Sequence, residues 1–223
     1  ARRALEPATL ASSKRGLELE AIDTAILAVS DHFKGDDPHL EQSMQDILTR
    51  GTELQSKRAA VALGRIHGLG PRKDLPAARA AYRRGAELGQ SDCMLKWARC
   101  LRDGQGVAKD YAAALRWAQK AAELKEKQAH GFLIFATYRG EGVEADPLRA
   151  LEMARRFQRD LPGSESSYTL GRLLVASEDP AEREEGMAWL KRSKNANAKA
   201  TIEAIKERRR GGRAPLKVTL ETE

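Results

Sequence analysis

Small and large apolar residues return along the chain at a fixed interval. Ala78, Ala114, Ala150 and Gly186 stand 36 residues apart, and the same step joins Ala81, Trp117, Met153 and Trp189, then Arg84, Lys120, Arg156 and Arg192. A glycine segment keeps the same interval: Gly68-Leu-Gly-Pro-Arg-Lys-Asp74, Gly104-Gln-Gly-Val-Ala-Lys-Asp110 and Gly140-Glu-Gly-Val-Glu-Ala-Asp146. Upstream of these segments, Leu63-Gly64, Trp97-Ala98, Leu133-Ile134 and Leu170-Gly171 share one register, large then usually small. A period of this size, in a chain dominated by helix formers, predicts stacked helical pairs. Each unit therefore reads helix, glycine turn, helix.

The register positions have separate physical duties. Small residues at the Ala78 register let one helix come close to its neighbour, and the Trp or Met one turn later is expected to fill space between layers. The basic residue six positions after Ala78 falls near the helix end, where a cation suits the macrodipole and the terminal carbonyls. Paired glycines admit the positive φ that a tight turn needs. Asp74, Asp110 and Asp146 then fall at N-cap positions. Leu63 precedes Trp97 by only 34 residues, so the first turn is two residues shorter, with Pro71 where the others carry Val107 and Val143.

Toward both ends the repeat decays, as terminal repeats do when they become caps. Leu19 to Phe33, a turn at Lys34 to Pro38, and His39 to Thr49 read as a decayed pair. Val175 to Glu182 has lost both glycines, and a last helix from about Asn197 to Arg210 ends at Gly211-Gly212. The expected division is a mobile segment over 1–18, a degenerate helical pair over 19–58, repeats over 59–193, a capping helix over 194–212 and a tail over 213–223. Ala1 to Ser13 is expected to be mobile throughout. In the tail, Leu216 to Leu220 alternates as a short strand or docking segment would.

These residues carry a resemblance. The series Ala-x3-Leu-Gly-x2-Tyr-x2-Gly-x-Gly-Val-x2-Asp-x3-Ala-x2-Trp-x2-Lys-Ala-Ala is the pattern of Sel1-like repeats, relatives of tetratricopeptide repeats. Cys93 to Ala122 is closely similar to it, and Ala129 to Arg156 follows with lapses; the likeness extends over about Ala59 to Ser193. It implies an all-α fold, a right-handed α/α superhelix of about five helix-turn-helix units. It also implies a non-catalytic scaffold or adaptor that holds a partner protein or peptide on its concave face, often in bacterial cell envelopes and signalling. The family's Tyr after Leu-Gly is replaced by His67, Leu101 and Thr137, with Tyr138 one place along. Cysteine-rich members bridge one unit to the next, and the corresponding pair here is Ala86 and Cys93, so packing alone must hold the stack.

Charge narrows the picture only at one end. The chain of 223 residues carries 39 Lys and Arg against 32 Asp and Glu, a formal +7. Nine basic and two acidic residues between Lys191 and Arg213 account for all of it, which leaves the remainder neutral. A cluster of Lys206, Arg208, Arg209, Arg210 and Arg213 reads either as a solvated terminus or as a handle for nucleic acid or an anionic membrane surface. The longest stretch without formal charge, Gln128 to Tyr138, has eleven residues, where about 20 are needed to cross a bilayer. A bacterial periplasm, envelope or cytoplasm is the expected setting, and an integral membrane chain is not.

The search for chemistry returns little. Cys93 and Cys100 lie seven residues apart, about 10.5 Å along a helix, beyond the roughly 7 Å Cα limit for a disulfide. His32, His39, His67 and His130 fall at unrelated repeat positions, and Asp36-Asp37 is the kind of adjacent pair that caps a helix. No metalloprotease, nucleophile-elbow or phosphate-loop motif occurs. No cofactor and no catalysis are expected.

What remains is surface. The first helix of each pair is expected to carry an inner stripe of Lys96, Arg99 and Asp103, then Phe132, Phe135 and Arg139, then Tyr168 and Arg172, with Arg65, Arg99 and Arg172 in one register. Charged forks beside aromatics are residue types that anchor peptide partners. The same spacing would also place Phe132 and Phe135 in the core.

Overall fold

A computed structural model of the chain describes residues 16–22, 24, 38–53, 56–69 and 74–210. The expectations for Ala1 to Ser13, for Asp36-Asp37, for the middle of the first glycine turn and for the tail lie outside those residues. Two compact units divide at Leu124 and Lys125. The first contains helical residues 16–22 and then α1 (Pro38–Glu53), α2 (Lys57–Leu69), α3 (Leu75–Glu87), α4 (Ser91–Asp103) and α5 (Tyr111–Glu123). The second contains α6 (Lys127–Arg139), α7 (Pro147–Asp160), α8 (Ser164–Leu174), α9 (Pro180–Arg192) and α10 (Ala198–Arg210). Among the described residues there is no strand.

Residues 16–22 are helical. Glu18 accepts from Arg50 of α1 at 2.9 Å, which ties the segment down. Within each unit, consecutive helices pack against one another, and first helices of successive hairpins also touch, α2 with α4 and α6 with α8.

The turns show why the sequence folds into hairpins. Asp74, Asp110 and Asp146 each cap the following helix, accepting from the backbone N–H of Ala77, Ala113 and Arg149 at 3.0, 2.8 and 2.9 Å. Each of those aspartates also donates its own N–H backwards, to the carbonyls of His67, Leu101 and Thr137. The same pin closes all three turns, including the first, which is two residues shorter. Gly104 and Gly140 end α4 and α6 in the left-handed region at φ 69° and 75°, a conformation that a Cβ disfavours. The fourth turn, without glycines, is built differently. Val175 stays right-handed, and Asp179 caps α9 through Ala181 N at 2.8 Å.

Packing follows the small-residue register. Ala78, Ala114, Ala150 and Gly186 are all buried. Both following positions share the contact: three residues later Ala81 is buried and Met153 and Trp189 pack against buried apolar residues, and four residues later the position is buried in every repeat. Tyr82, Ala118, Ala154 and Leu190 are buried, while Trp117, Met153 and Trp189 are only half-buried. At 100° per residue a step of four stays nearer the contact line than a step of three. The half-buried tryptophans serve a second purpose. Lys120 lies over Trp117 and Arg192 over Trp189, both at 4.8 Å. These cation–π pairs give two members of the basic ladder a partner three residues back. Where Met replaces Trp, Arg156 turns to Asp160 at 3.2 Å instead.

In the first unit one core cluster gathers Ile22, Leu48, Ala59, Leu63 and Ala81. In the second, Ile134, Ala150, Ala154, Phe157, Leu170, Leu173 and Leu174 form one cluster, and Tyr168, Val175, Leu190, Ala198 and Ile205 form another. The segment that leads from α9 into the capping helix α10 is fastened to the start of α8 by polar contacts. Ser193 Oγ donates to the Ser164 carbonyl at 2.7 Å, and Asn195 Nδ2 donates to Glu165 at 2.7 Å.

Candidate functional site

Helical spacing puts Phe132, Phe135 and Arg139 along one side of α6, and Tyr168 and Arg172 along one side of α8. The structure separates them by role. Phe132 is buried, as the core reading of the pair requires, whereas Phe135 is half-buried at the edge of the larger cluster. Arg172 crosses from α8 to α6, its Cζ lying 4.7 Å over the Phe135 ring and 5.3 Å over the Tyr168 ring. Arg139 lies over the other end of this group, 5.9 Å from the Phe135 centroid, and donates to Glu141 at 2.9 Å.

The result is a ladder of cation and ring, Arg139, Phe135, Arg172 and Tyr168, that joins two successive hairpins. It is anchored at both ends of its aromatic set. Phe135 packs on the apolar cluster, and the buried Tyr168 shares a hydrogen bond of 3.1 Å with Thr201 of α10. A cation over an aromatic face is worth about 0.5–1 kcal/mol when exposed and about 2 kcal/mol when desolvated. The half-buried Arg172 guanidinium lies between those limits.

Lys96 and Arg99 are half-buried on α4 of the first unit, and Asp103 is bound by its neighbour Arg102 in a forked pair at 2.6 and 3.0 Å. The side chain of Arg65 lies outside the described residues. At the basic end, Lys206 Nζ is held by Glu203 at 2.7 Å, which keeps the Glu203 carboxyl below its ordinary range. Arg210 is exposed; the side chains of Arg208 and Arg209, and all of Arg213, lie outside the described residues.

Two features went unread in the sequence. His130 stacks on Phe157 with centroids 4.8 Å apart, and burial lowers its pKa. Such a pair joins neighbouring helices, so no spacing within one helix reveals it. Cys93 packs against the backbone of Gly85, leaving no room for a Cβ there. Burial pushes the Cys93 thiol up to about 12 and raises that of Cys100, so both stay protonated at neutral pH and are poor nucleophiles. Among the described residues, no three His, Cys, Asp or Glu side chains converge as metal ligands, and no helix is long and apolar enough to cross a membrane.

The sequence pattern of the Sel1 repeat matches residues 57–90, 91–126 and 135–157. No curated protein matches the sequence. Among solved structures, a Sel1 repeat protein from Oxalobacter formigenes is similar over 91% of this chain and 82% of its own, at 23% identity and a TM-score of 0.62. A second is c5321, a protective antigen of uropathogenic Escherichia coli strains with an SLR fold. It is similar over 70% of this chain at 19% identity and a TM-score of 0.56, and the match spans 33% of that protein. Both likenesses are of fold.

Proposed function

Because the chain carries Sel1 repeats in an all-helical solenoid fold, a fold that generally serves protein–protein interaction, we propose that it is a non-catalytic scaffold or adaptor. Its partner, a protein or an extended peptide, docks on the side of α6 and α8 that bears Phe135, Arg139 and Arg172. The observation that supports this reading is Arg172, seated over two rings contributed by two different hairpins. Arginine and aromatic side chains held in place by their own fold dominate interface energetics because little freedom is lost on binding. Lys96, Arg99 and Arg65 extend the proposal to the first helices of the first unit, by register alone.

The alternative, a polyanion handle at the basic C-terminal end, has less in its favour, since Lys206 is already tied to Glu203. It would show as affinity that falls steeply with the logarithm of salt concentration. The relatives are bacterial proteins, which supports a bacterial setting, in the envelope or the cytoplasm.

Affinity capture tests the proposal. The 223-residue wild type and Arg172→Glu are used as bait beside Arg156→Glu, a charge reversal on the exposed side of α7. Wild type and Arg156→Glu are expected to recover the same partner, and Arg172→Glu to recover at least tenfold less. Equal recovery by all three would rule this face out.

A further inference from the structure

Arg79 of α3 holds a charge where the repeat asks for none. The positions at successive 36-residue steps from it are Leu115, Leu151 and Met187, and Leu151 and Met187 pack against apolar clusters. We propose that Arg79, with Lys109 beside it, makes an anion site on the glycine turn between α4 and α5, and that its ligand is a phosphate group carrying two negative charges. The site lies in the first unit and is independent of the face proposed above.

The turn gives the guanidinium a fixed seat. The place that a Cβ would take at Gly106 is almost equally far from Cζ, Nη2 and Nη1 of Arg79, the last at 2.7 Å. In the plane of a guanidinium the one point equally far from those atoms lies at bond length from each, so Gly106 sits over the face of the group. Gly106 has φ 69°, and the space left by its missing side chain is filled by Arg79. Lys109 runs along the same turn, since a Cβ at Gly104 would meet its Cγ at 2.7 Å and its Cε at 3.3 Å. The Gly106 N–H donates to the Gly104 carbonyl at 2.8 Å, which keeps the two glycines close. The third turn closes with the same backbone pin and carries Ala145 in place of Lys109. The ammonium is therefore no requirement of the turn.

Both cations await a partner. Among the described residues no hydrogen bond or ion pair occupies the half-buried guanidinium of Arg79 or the exposed Lys109. The Cys100 thiol lies in the field of Arg79 and stays protonated, because burial raises its pKa. The acids of the same elements are engaged. Asp103 is held in the fork of Arg102, Asp74 and Asp110 accept from helix N–H groups, and Glu87 binds Arg83 and Arg84. A cation that gives up hydration without a partner is held at a cost, which a bound anion offsets. A guanidinium offers phosphate two parallel donors and a lysine adds a point charge. A phosphate monoester, close to two negative charges at neutral pH, matches the pair better than a singly charged carboxylate.

Calorimetric titration of the 223-residue chain tests the site, with inorganic phosphate, acetate, and phosphatidylcholine vesicles with and without phosphatidic acid as probes. Wild type is expected to bind phosphate, or the vesicles that contain phosphatidic acid, at least tenfold more tightly than acetate or plain vesicles. Free phosphate bound and vesicles ignored would assign a soluble phosphate, and the reverse would assign a lipid headgroup. Arg79→Gln is expected to weaken the favoured probe about tenfold and Lys109→Gln at least threefold. Arg83→Gln, one turn along α3 and paired with Glu87, should change it less than twofold. Lys109→Gln, at an exposed position, carries the test if circular dichroism shows Arg79→Gln unfolded. No preference of wild type for either phosphate probe over acetate, or equal binding by wild type and Lys109→Gln, would overturn the proposal. So would an equal loss from Arg83→Gln.

Discussion

Gly186→Ala is expected to destabilise the second unit, although alanine is ordinarily the better helix residue by about 0.5–1 kcal/mol. A Cβ at Gly186 of α9 would lie 2.7 Å from the Val175 nitrogen, 2.8 Å from Leu174 Cβ and 2.9 Å from the Gly171 carbonyl oxygen. Two of the three are backbone atoms, which no rotamer change can move aside. The approach is mutual, since a Cβ at Gly171 would meet Leu190 Cγ at 2.9 Å and the Gly186 oxygen at 3.0 Å. Overpacking of a tight core costs roughly 1–3 kcal/mol. The backbone contact puts Gly186→Ala at the upper end of that range, and Gly186→Val beyond it. Gly16→Ala is the control, because a Cβ there meets nothing within 4 Å, and its stability should be unchanged or raised. Urea denaturation reads both. A neutral or stabilising Gly186→Ala would mean that α8 and α9 do not approach backbone to backbone.

Leu190→Ala is expected to cost about 2–5 kcal/mol, the range for emptying a buried leucine site. Leu190 is 0% exposed, packs with Tyr168, Val175, Ala198 and Ile205, and lies under the capping helix. Its neighbours are fixed by the Gly171 and Gly186 contact on one side and by the hydrogen bonds of α10 on the other, so the site has little freedom to collapse. Leu148, 78% exposed on α7, provides the contrast. Leu148→Ala should shift stability by less than about 0.5 kcal/mol. Chemical denaturation with unchanged m-values would establish the ranking, and equal effects would contradict the assignment of the core to the register four residues after the small position.

The hairpin architecture was legible because its determinants are local and repeat. A glycine turn, an aspartate cap and a small residue four positions on need only sequence distance to be recognised, and each recurs at the same interval. The site was legible in composition and not in arrangement. Phe132 and Phe135 have equivalent spacing, and only the neighbouring helix decides that one is core and the other is an edge on which Arg172 rests. The sequence put Arg172 in a register with Arg65 and Arg99, yet its partners are two rings, one of them on another hairpin. The tryptophan register was legible in one of its two roles. A large aromatic at a helical interval reads as filling, and Trp189 does pack against the apolar cluster, while the same register also serves as a platform for the cation three residues later. The fourth turn hid its cap because Asp179 stands outside the glycine pattern that marked the other three.

Hydrogen–deuterium exchange of the full chain, with and without its captured partner, measures most directly whether the helical repeats act as a docking surface. The account predicts slowed exchange in α6 from Phe132 to Arg139 and in α8 from Tyr168 to Arg172, with α7 and α9 unchanged. Protection confined to α7 and α9, or to the basic stretch from Lys206 onward, would contradict it.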